Sequence, residues 1–267
     1  LSLTDELARA EDMLMVKDAD NAALKAKIQE LTLQLSAMQE DFQLLTEKYQ
    51  GLETTHPQLV EQNNNAEVGV AIEAAQTLGQ FSIVVNAAGA QIPAPHTVTE
   101  AGEAHDLDTF NQMIDNHLTG PFNVSRLCAA AFSKNTADDD GQRGVIINTS
   151  STAAFEGQMK QVAYSAAKAG IAGMTLAMAR DLSIVGVRAN AIAPGPIVTP
   201  RLARATEKLK RELTANVAFP KRLGYAWEYA NLVEMILRTP FLNGQVIRLD
   251  GAISTPFTEM SAEGKKT

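Results

Sequence analysis

Apolar residues recur at alternating spacings of four and three along the first fifth of the chain, and Lys17 and Asn21 are the polar exceptions. A repeat of roughly 3.5 residues over about seven heptads is typical of a coiled coil, which we predict over residues 1–55. Ile28 falls at an a position between leucines at d positions, a pattern that favours two parallel strands. A long helix packed on its own domain is the alternative. The core positions are Leu3, Leu7, Ala10, Leu14, Leu24, Ile28, Leu31, Leu35, Met38, Phe42, Leu45, Tyr49 and Leu52.

Beyond this repeat the pattern changes twice. Residues 56–65 are polar and form a predicted linker. From residue 66 onward, short apolar strand-like segments alternate with helical ones, as in an α/β domain with a parallel sheet. The predicted strands cover 82–86, 144–148, 187–192 and 245–249, and the predicted helices lie near 66–79, 107–133, 157–184 and 226–238. We therefore place an α/β domain at 66–257 and a flexible tail at 258–267.

Composition narrows the possible partners. The chain has 267 residues, 45% of them hydrophobic, and a formal net charge of −8, which argues against a general nucleic-acid or anionic-membrane surface. Its one cysteine, Cys128, cannot form an intrachain disulfide. No run approaches the roughly 18–20 apolar residues that span a bilayer, and the N-terminus lacks the basic start and apolar block of a signal peptide. The histidines lack metal-ligand spacing, so we predict no metal site, no nucleic-acid partner and no membrane span.

Three short motifs directly follow predicted strands. They are an Asn-Ala-Ala-Gly turn at 86–89, a Ser-Ser pair at 150–151 and a Pro-Gly-Pro turn at 194–196. Open α/β sheets bind ligands outside the carboxyl ends of their strands. Three motifs at corresponding strand ends therefore predict one shared crevice.

Tyr164 and Lys168 are the strongest candidates for chemistry in that crevice. Four residues apart on a helix, they would lie on one face. Tyrosine has a pKa of about 10, and a neighbouring ammonium group is expected to lower it, which would make the phenol a usable proton carrier. The hydroxyl of Ser151 could then orient a substrate oxygen. A bare Tyr-x-x-x-Lys spacing is weak, and its position after the serine-bearing strand is what favours an active site.

These residues, and longer segments around them, resemble the short-chain dehydrogenase/reductase family over residues 66–257. Segments 141–149, 153–158, 219–224 and 241–252 look most like the members that act on 3-hydroxyacyl-CoA or hydroxysteroid-like alcohols. The resemblance implies a Rossmann-like parallel sheet with helices on both faces. It also implies an oxidoreductase that uses NAD, or alternatively NADP, on a small-molecule secondary alcohol or ketone. A homo-oligomer through helix interfaces and coiled coil, and a mitochondrial or cytoplasmic location, are further expectations.

The resemblance also implies roles for individual residues. Tyr164 would exchange a proton with the substrate oxygen, Lys168 would hold the nicotinamide ribose, and Ser151 would hydrogen-bond the reacting oxygen. Asn86 and Gly89 would shape the wall beside the adenine-side ribose. The cofactor-binding residues would be Tyr164 and Lys168 together with Asn86, Ala88, Gly89, Pro194, Gly195, Ile197 and Thr199.

Two features depart from the family pattern. The family begins with a strand, a glycine-rich turn and a helix that bind the pyrophosphate, but here no glycine precedes Gly51 and the predicted coiled coil stands in that place. Without the family's first strands, the 82–86 strand is expected to be a bare apolar edge. His117 occupies the position of the family's active-site asparagine, where a neutral imidazole could relay protons or the relay position could be lost.

Two hypotheses remain open at this point. In the first the chain is an NAD-dependent oxidoreductase that uses Ser151, Tyr164, Lys168 and, in place of the family asparagine, His117. In the second it is a catalytically inactive, dehydrogenase-derived scaffold dimerised by its coiled coil. The missing turn has three accounts: an altered N-terminal sequence of a normal enzyme, an inactive enzyme kept as an assembly module, or a sheet completed by a partner chain.

Overall fold

The computed structural model describes residues 65–89 and 92–254. The predicted coiled coil, nearly all of the predicted linker and the predicted tail lie outside these residues. The helices are α1 (Asn65–Thr77), α2 (Leu107–Ile114), α3 (Gly120–Phe132), α4 (Val162–Leu182), α5 (Pro200–Ala203), α6 (Glu207–Thr214) and α7 (Ala226–Arg238). The strands are β1 (Ile83–Asn86), β2 (Gly144–Thr149), β3 (Val187–Pro194) and β4 (Val246–Leu249).

The four strands form one parallel sheet in the order β1-β2-β3-β4. Ile146 of β2 is in register with Val84 of β1 and Ala189 of β3. Strands β2 and β3 are buried along almost their whole length, as central strands of a parallel sheet covered on both faces should be. The predicted α/β fold with a parallel sheet is confirmed. Within the described residues β1 pairs on one side only, and its first residue, Ile83, is 44% exposed.

Helices cover both faces of the sheet. On one face Phe132, the last residue of α3, is fully buried, and its ring centroid lies 4.9 Å from that of Phe81. The Phe132 ring packs directly on Gly144, where a Cβ would overlap it. On the other face Ile236 of α7 is fully buried against Ile147 of β2. Each such side chain stabilises the fold by about 2 kcal/mol through burial of apolar surface.

The helix predicted near 107–133 consists of three segments. Helix α2 begins after Asp106, whose carboxylate accepts a hydrogen bond from the backbone N–H of Thr109 at 2.8 Å and caps the helix. A π-helical turn, Asp115–Thr119, then separates α2 from α3. Such a turn widens the helix locally and often occurs at functional sites. Here it contains His117.

The helix predicted near 157–184 begins later, at Val162. A 3₁₀ turn, Thr152–Ala154, and a loop precede it. In that loop Lys160 has a φ of 68°, a left-handed conformation that does not occur within a regular α-helix. The helix can therefore begin only after this residue. The later start leaves Tyr164 in the first turn of α4.

Candidate active site

The carboxyl ends of β1, β2 and β3 lie along one edge of the sheet. Asn86 at the end of β1 is in register with Asn148 of β2, and Thr149 is in register with Ile192 of β3. The three motifs that the sequence placed after strands therefore follow neighbouring strand ends. This edge is where open α/β sheets bind their ligands.

Ser150 and Ser151 follow β2 and have different partners. The buried hydroxyl of Ser150 donates to the backbone oxygen of Lys168 at 2.8 Å and links β2 to α4. The hydroxyl oxygen of Ser151 accepts a hydrogen bond from the backbone N–H of Ala153 at 3.1 Å, and the same side chain lies close enough to the Tyr164 phenol to lower its pKa. Ser151 is therefore the serine that lies beside the phenol, whereas Ser150 is structural.

Tyr164 lies half-buried in the first turn of α4. Burial raises the pKa of its phenol above the usual value of 10.0, and the nearby Ser151 side chain opposes this effect. Loss of hydration is the largest effect on this pKa and outweighs the lowering that was expected from Lys168, so the net direction is upward. The Tyr164 side chain is consequently protonated at neutral pH.

Lys168 lies one helical turn after Tyr164, with its Nζ 5.7 Å from the centroid of the tyrosine ring. The residue is 4% exposed, and Nζ donates a hydrogen bond to the backbone oxygen of Thr149 at 2.9 Å. Burial lowers the pKa of the ammonium group from 10.5 to about 8. An ammonium group has three hydrogens to donate, so Lys168 retains donors for a ligand hydroxyl.

His117 is buried in the π-helical turn and faces Tyr164. The two ring centroids are 5.2 Å apart, and the ring planes are nearly perpendicular at 86°. The imidazole also lies against Gly89, where a Cβ would come within 2.6 Å of the His117 Cε1 atom. The His117 ring therefore contacts both the turn after β1 and the phenol. Ala88, next to Gly89 in that turn, is exposed.

Asn86, predicted to line the cofactor, is held within the sheet. Its Nδ2 donates to Asn148 Oδ1 at 2.7 Å, and it also lies 3.1 Å from Ser125 Oγ and 3.3 Å from the backbone oxygen of Pro121. These contacts fix the carboxyl end of β1 against β2 and α3. A cofactor contact by Asn86 stays a prediction.

Pro194 ends β3, and the segment 194–199 (the 194–199 loop) is held against β4. The backbone N–H of Gly195 donates to the backbone oxygen of Leu249 at 3.0 Å. Asp250 packs directly on Gly195, where a Cβ would lie 2.9 Å from the Asp250 Cβ. The close approach explains why a glycine follows the strand here.

The predicted nicotinamide-side residues Ile197 and Thr199 lie further along this loop. Ile197 forms an isolated parallel bridge with Gly224. The hydroxyl oxygen of Thr199 accepts a hydrogen bond from the backbone N–H of Leu202 at 3.3 Å, which places it at the start of α5. The described contacts therefore join His117 and Gly89 to the Ser151–Tyr164–Lys168 cluster and join the 194–199 loop to β4.

Two residues that anchor the end of β2 were not among the predicted site residues. Asn148 receives the Asn86 hydrogen bond, and the Thr149 hydroxyl hydrogen-bonds the Tyr229 hydroxyl of α7 at 2.7 Å. An asparagine at the end of an otherwise apolar strand was the available signal for Asn148. Nothing in the sequence pointed to Tyr229. Among the described residues no helix is long and apolar enough to cross a membrane, and none of their acidic, His or Cys side chains form a metal-binding group.

Comparisons with known proteins point to one family and one fold. The sequence profile of the family described as short chain dehydrogenase matches residues 18–210. Human 3-hydroxyacyl-CoA dehydrogenase type-2 is 51% identical over 175 residues, which cover 66% of this chain and 67% of the relative. The Drosophila melanogaster protein of the same name is 45% identical over 195 residues, which cover 73% of this chain and 76% of the relative.

Solved structures show the same fold. The crystal structure of 3-hydroxyacyl-CoA dehydrogenase type-2 from Mycobacterium avium is 41% identical, with a TM-score of 0.70 over 73% of this chain and 75% of that one. A short-chain dehydrogenase/reductase from Burkholderia xenovorans has a TM-score of 0.60 at 24% identity over 71% of this chain and 72% of that one. The second similarity concerns the fold alone.

Proposed function

This chain belongs to the short-chain dehydrogenase family of oxidoreductases, and we propose that it moves a hydride between NAD(H) and the oxygen-bearing carbon of a 3-hydroxyacyl-CoA or hydroxysteroid-like alcohol. The observation that carries the proposal is the cluster at the end of β2, in which Ser151, the Tyr164 phenol and the buried Lys168 lie side by side. Relatives named 3-hydroxyacyl-CoA dehydrogenase support the acyl-CoA class of substrate.

The buried lysine supports a nicotinamide cofactor. Lys168 is 4% exposed, and burial lowers the pKa of its ammonium group. Any further hydrogen-bond acceptor beside Nζ would therefore stabilise the charged form. The hydroxyls of a nicotinamide ribose are acceptors that such a group can hold. Ser151, Tyr164 and Lys168 thus fit the nicotinamide side of the cofactor, which supplies the hydride chemistry when bound.

Each residue of the cluster would have its own role in the reaction. In reduction, Tyr164 would donate its phenolic proton to the carbonyl oxygen of the substrate as that oxygen becomes a hydroxyl. The raised pKa of the phenol keeps this proton in place at neutral pH. Ser151 would donate a hydrogen bond to the same oxygen. His117, nearly perpendicular to the phenol, would hold the ring in the orientation that reaches the substrate.

The alternative of a non-catalytic scaffold gains no support from the relatives, which are named as dehydrogenases or reductases. Assembly into a homo-oligomer and a mitochondrial or cytoplasmic location both stay predictions. The division at 56–65 between a coiled coil and the catalytic domain is likewise a proposal.

Reduction of acetoacetyl-CoA by NADH tests the proposed reaction. We expect the full chain to consume NADH in step with substrate, and Tyr164→Phe to lose at least about a hundredfold in kcat, because general acid catalysis contributes on that order. Tyr225→Phe is the matched control, since that tyrosine is 43% exposed and stacks on Trp227 instead. Equal rates for the Tyr164 variant and the control would overturn the assignment, and no turnover of any 3-oxoacyl-CoA or ketosteroid would overturn the substrate class.

A further inference from the structure

Arg248, in β4, contacts both the segment that follows Ser151 and the turn that follows β4. Its Nη1 lies 2.8 Å from Glu156 Oε1, and its Nε donates to Asp250 Oδ2 at 2.6 Å. Its Nη2 donates to the backbone oxygen of Ile253 at 3.2 Å. One guanidinium group therefore serves three acceptors, a geometry that its planar fork permits and a lysine would not reproduce.

The first of these contacts reaches the segment that carries Ser151. Ser151 caps the 3₁₀ turn Thr152–Ala154, and the backbone N–H of Glu156 donates to the backbone oxygen of Thr152 at 2.9 Å. Phe155 lies between this turn and Glu156 in the sequence, and its ring centroid is 5.7 Å from the Arg248 guanidinium carbon. The ion pair with Glu156 and the contact with Phe155 thus hold the end of this turn against Arg248.

The second contact reaches the loop after β3. The Asp250 side chain is 8% exposed, and its Oδ1 accepts a hydrogen bond from the backbone N–H of Ala252 at 3.0 Å. Its Cβ packs against Gly195, which is also hydrogen-bonded to β4. Asp250 therefore connects the Arg248 guanidinium group to the start of the 194–199 loop.

We propose that Arg248 is a positioning residue, which holds the Ser151 turn and the 194–199 loop at the spacing that hydride transfer requires by pairing with Glu156 and Asp250 together. This inference rests on the proposed function. Exposed ion pairs contribute little singly, but here one partner is nearly buried and the three contacts share one group. A displacement of about 1 Å at an active site can cost on the order of a hundredfold in rate.

Hydrogen exchange of backbone amides tests the link without needing activity. In Arg248→Gln we expect faster exchange both at residues 152–158 and at residues 250–254. In Glu156→Gln we expect faster exchange at 152–158 only. Arg238→Gln is the matched control, because it removes an exposed ion pair with Glu234 on α7. If Arg248→Gln does not fold, the Glu156 variant still tests the link between Arg248 and residues 152–158. Unchanged exchange in both regions would overturn the proposal.

Steady-state kinetics with NADH and acetoacetyl-CoA test the consequence. We expect Arg248→Gln to lower kcat by about tenfold or more, with a smaller change in KM, and Arg248→Lys to recover part of the loss. Faster exchange with unchanged kcat would contradict a positioning role. If the unmodified chain shows no turnover, the proposed function fails, and the exchange experiment still decides whether Arg248 joins the two segments.

Discussion

Replacing Lys168 by methionine should change how the stability of the protein depends on pH. Methionine has a similar length and carries no charge, so the substitution removes the buried ammonium group and little apolar contact. It also removes the hydrogen bond to the Thr149 backbone oxygen, whose loss costs about 1–3 kcal/mol at every pH. The part of the stability difference that varies with pH therefore reports the effect of the charge alone.

The size of that part follows from the pKa of Lys168. Burial lowers it from 10.5 to about 8, a difference equivalent to about 3 kcal/mol. Below the folded-state value the lysine is protonated whether the chain is folded or unfolded, and the full burial cost applies. Between the two values the folded protein has released the proton that the unfolded chain still binds. Stability therefore rises with pH across this window by at most about 1.4 kcal/mol per pH unit.

Urea denaturation of both proteins between about pH 7 and about pH 10 measures this effect. The unfolding free energy of the unmodified protein, minus that of Lys168→Met, should rise by roughly 2 to 3 kcal/mol over that range. A difference that stays constant would show that Lys168 is not charged and buried in the folded state. A difference that falls with rising pH would mean that folding raises the lysine pKa, contrary to the structure.

Two further predictions concern the core and the cofactor. Gly144→Ala should lower the free energy of unfolding by about 1–3 kcal/mol, because its Cβ would overlap the Phe132 ring, and thermal denaturation checks this. The control Gly173→Ala in α4, where nothing lies within 4 Å, should instead be neutral or stabilising, and equal losses would contradict the packing argument. Binding of NADH at about pH 8 should take up a fraction of a proton, because ribose hydroxyls that accept from Lys168 raise its pKa. Calorimetry in two buffers of different ionisation enthalpy measures this uptake, and proton release would refute it.

The grouping of Ser151, Tyr164 and Lys168 could be predicted from the sequence for simple geometric reasons. A spacing of four residues places Tyr164 and Lys168 on one face of any helix, and a parallel sheet gathers its carboxyl strand ends at one edge. The structure places all three together, as that reasoning requires.

Other properties depend on tertiary contacts that local sequence does not reveal. The net upward direction of the Tyr164 pKa shift could not be predicted, because it depends on how much water the folded protein removes from the phenol. The π-helical turn around His117 was not visible, since apolar spacing there resembles that of a continuous helix. The pairing of Arg248 with Glu156 joins residues far apart in the chain, so nothing local indicated it.

The most direct test of the account follows the hydride itself. The full chain is given NADH carrying deuterium at the transferable C4 position, with acetoacetyl-CoA as the acceptor, and the 3-hydroxybutyryl-CoA product is analysed by mass spectrometry. The account predicts one deuterium on C3 of the product, and strongly reduced transfer by Tyr164→Phe. Product without deuterium, or transfer that is unaffected by loss of the Tyr164 hydroxyl, would contradict it.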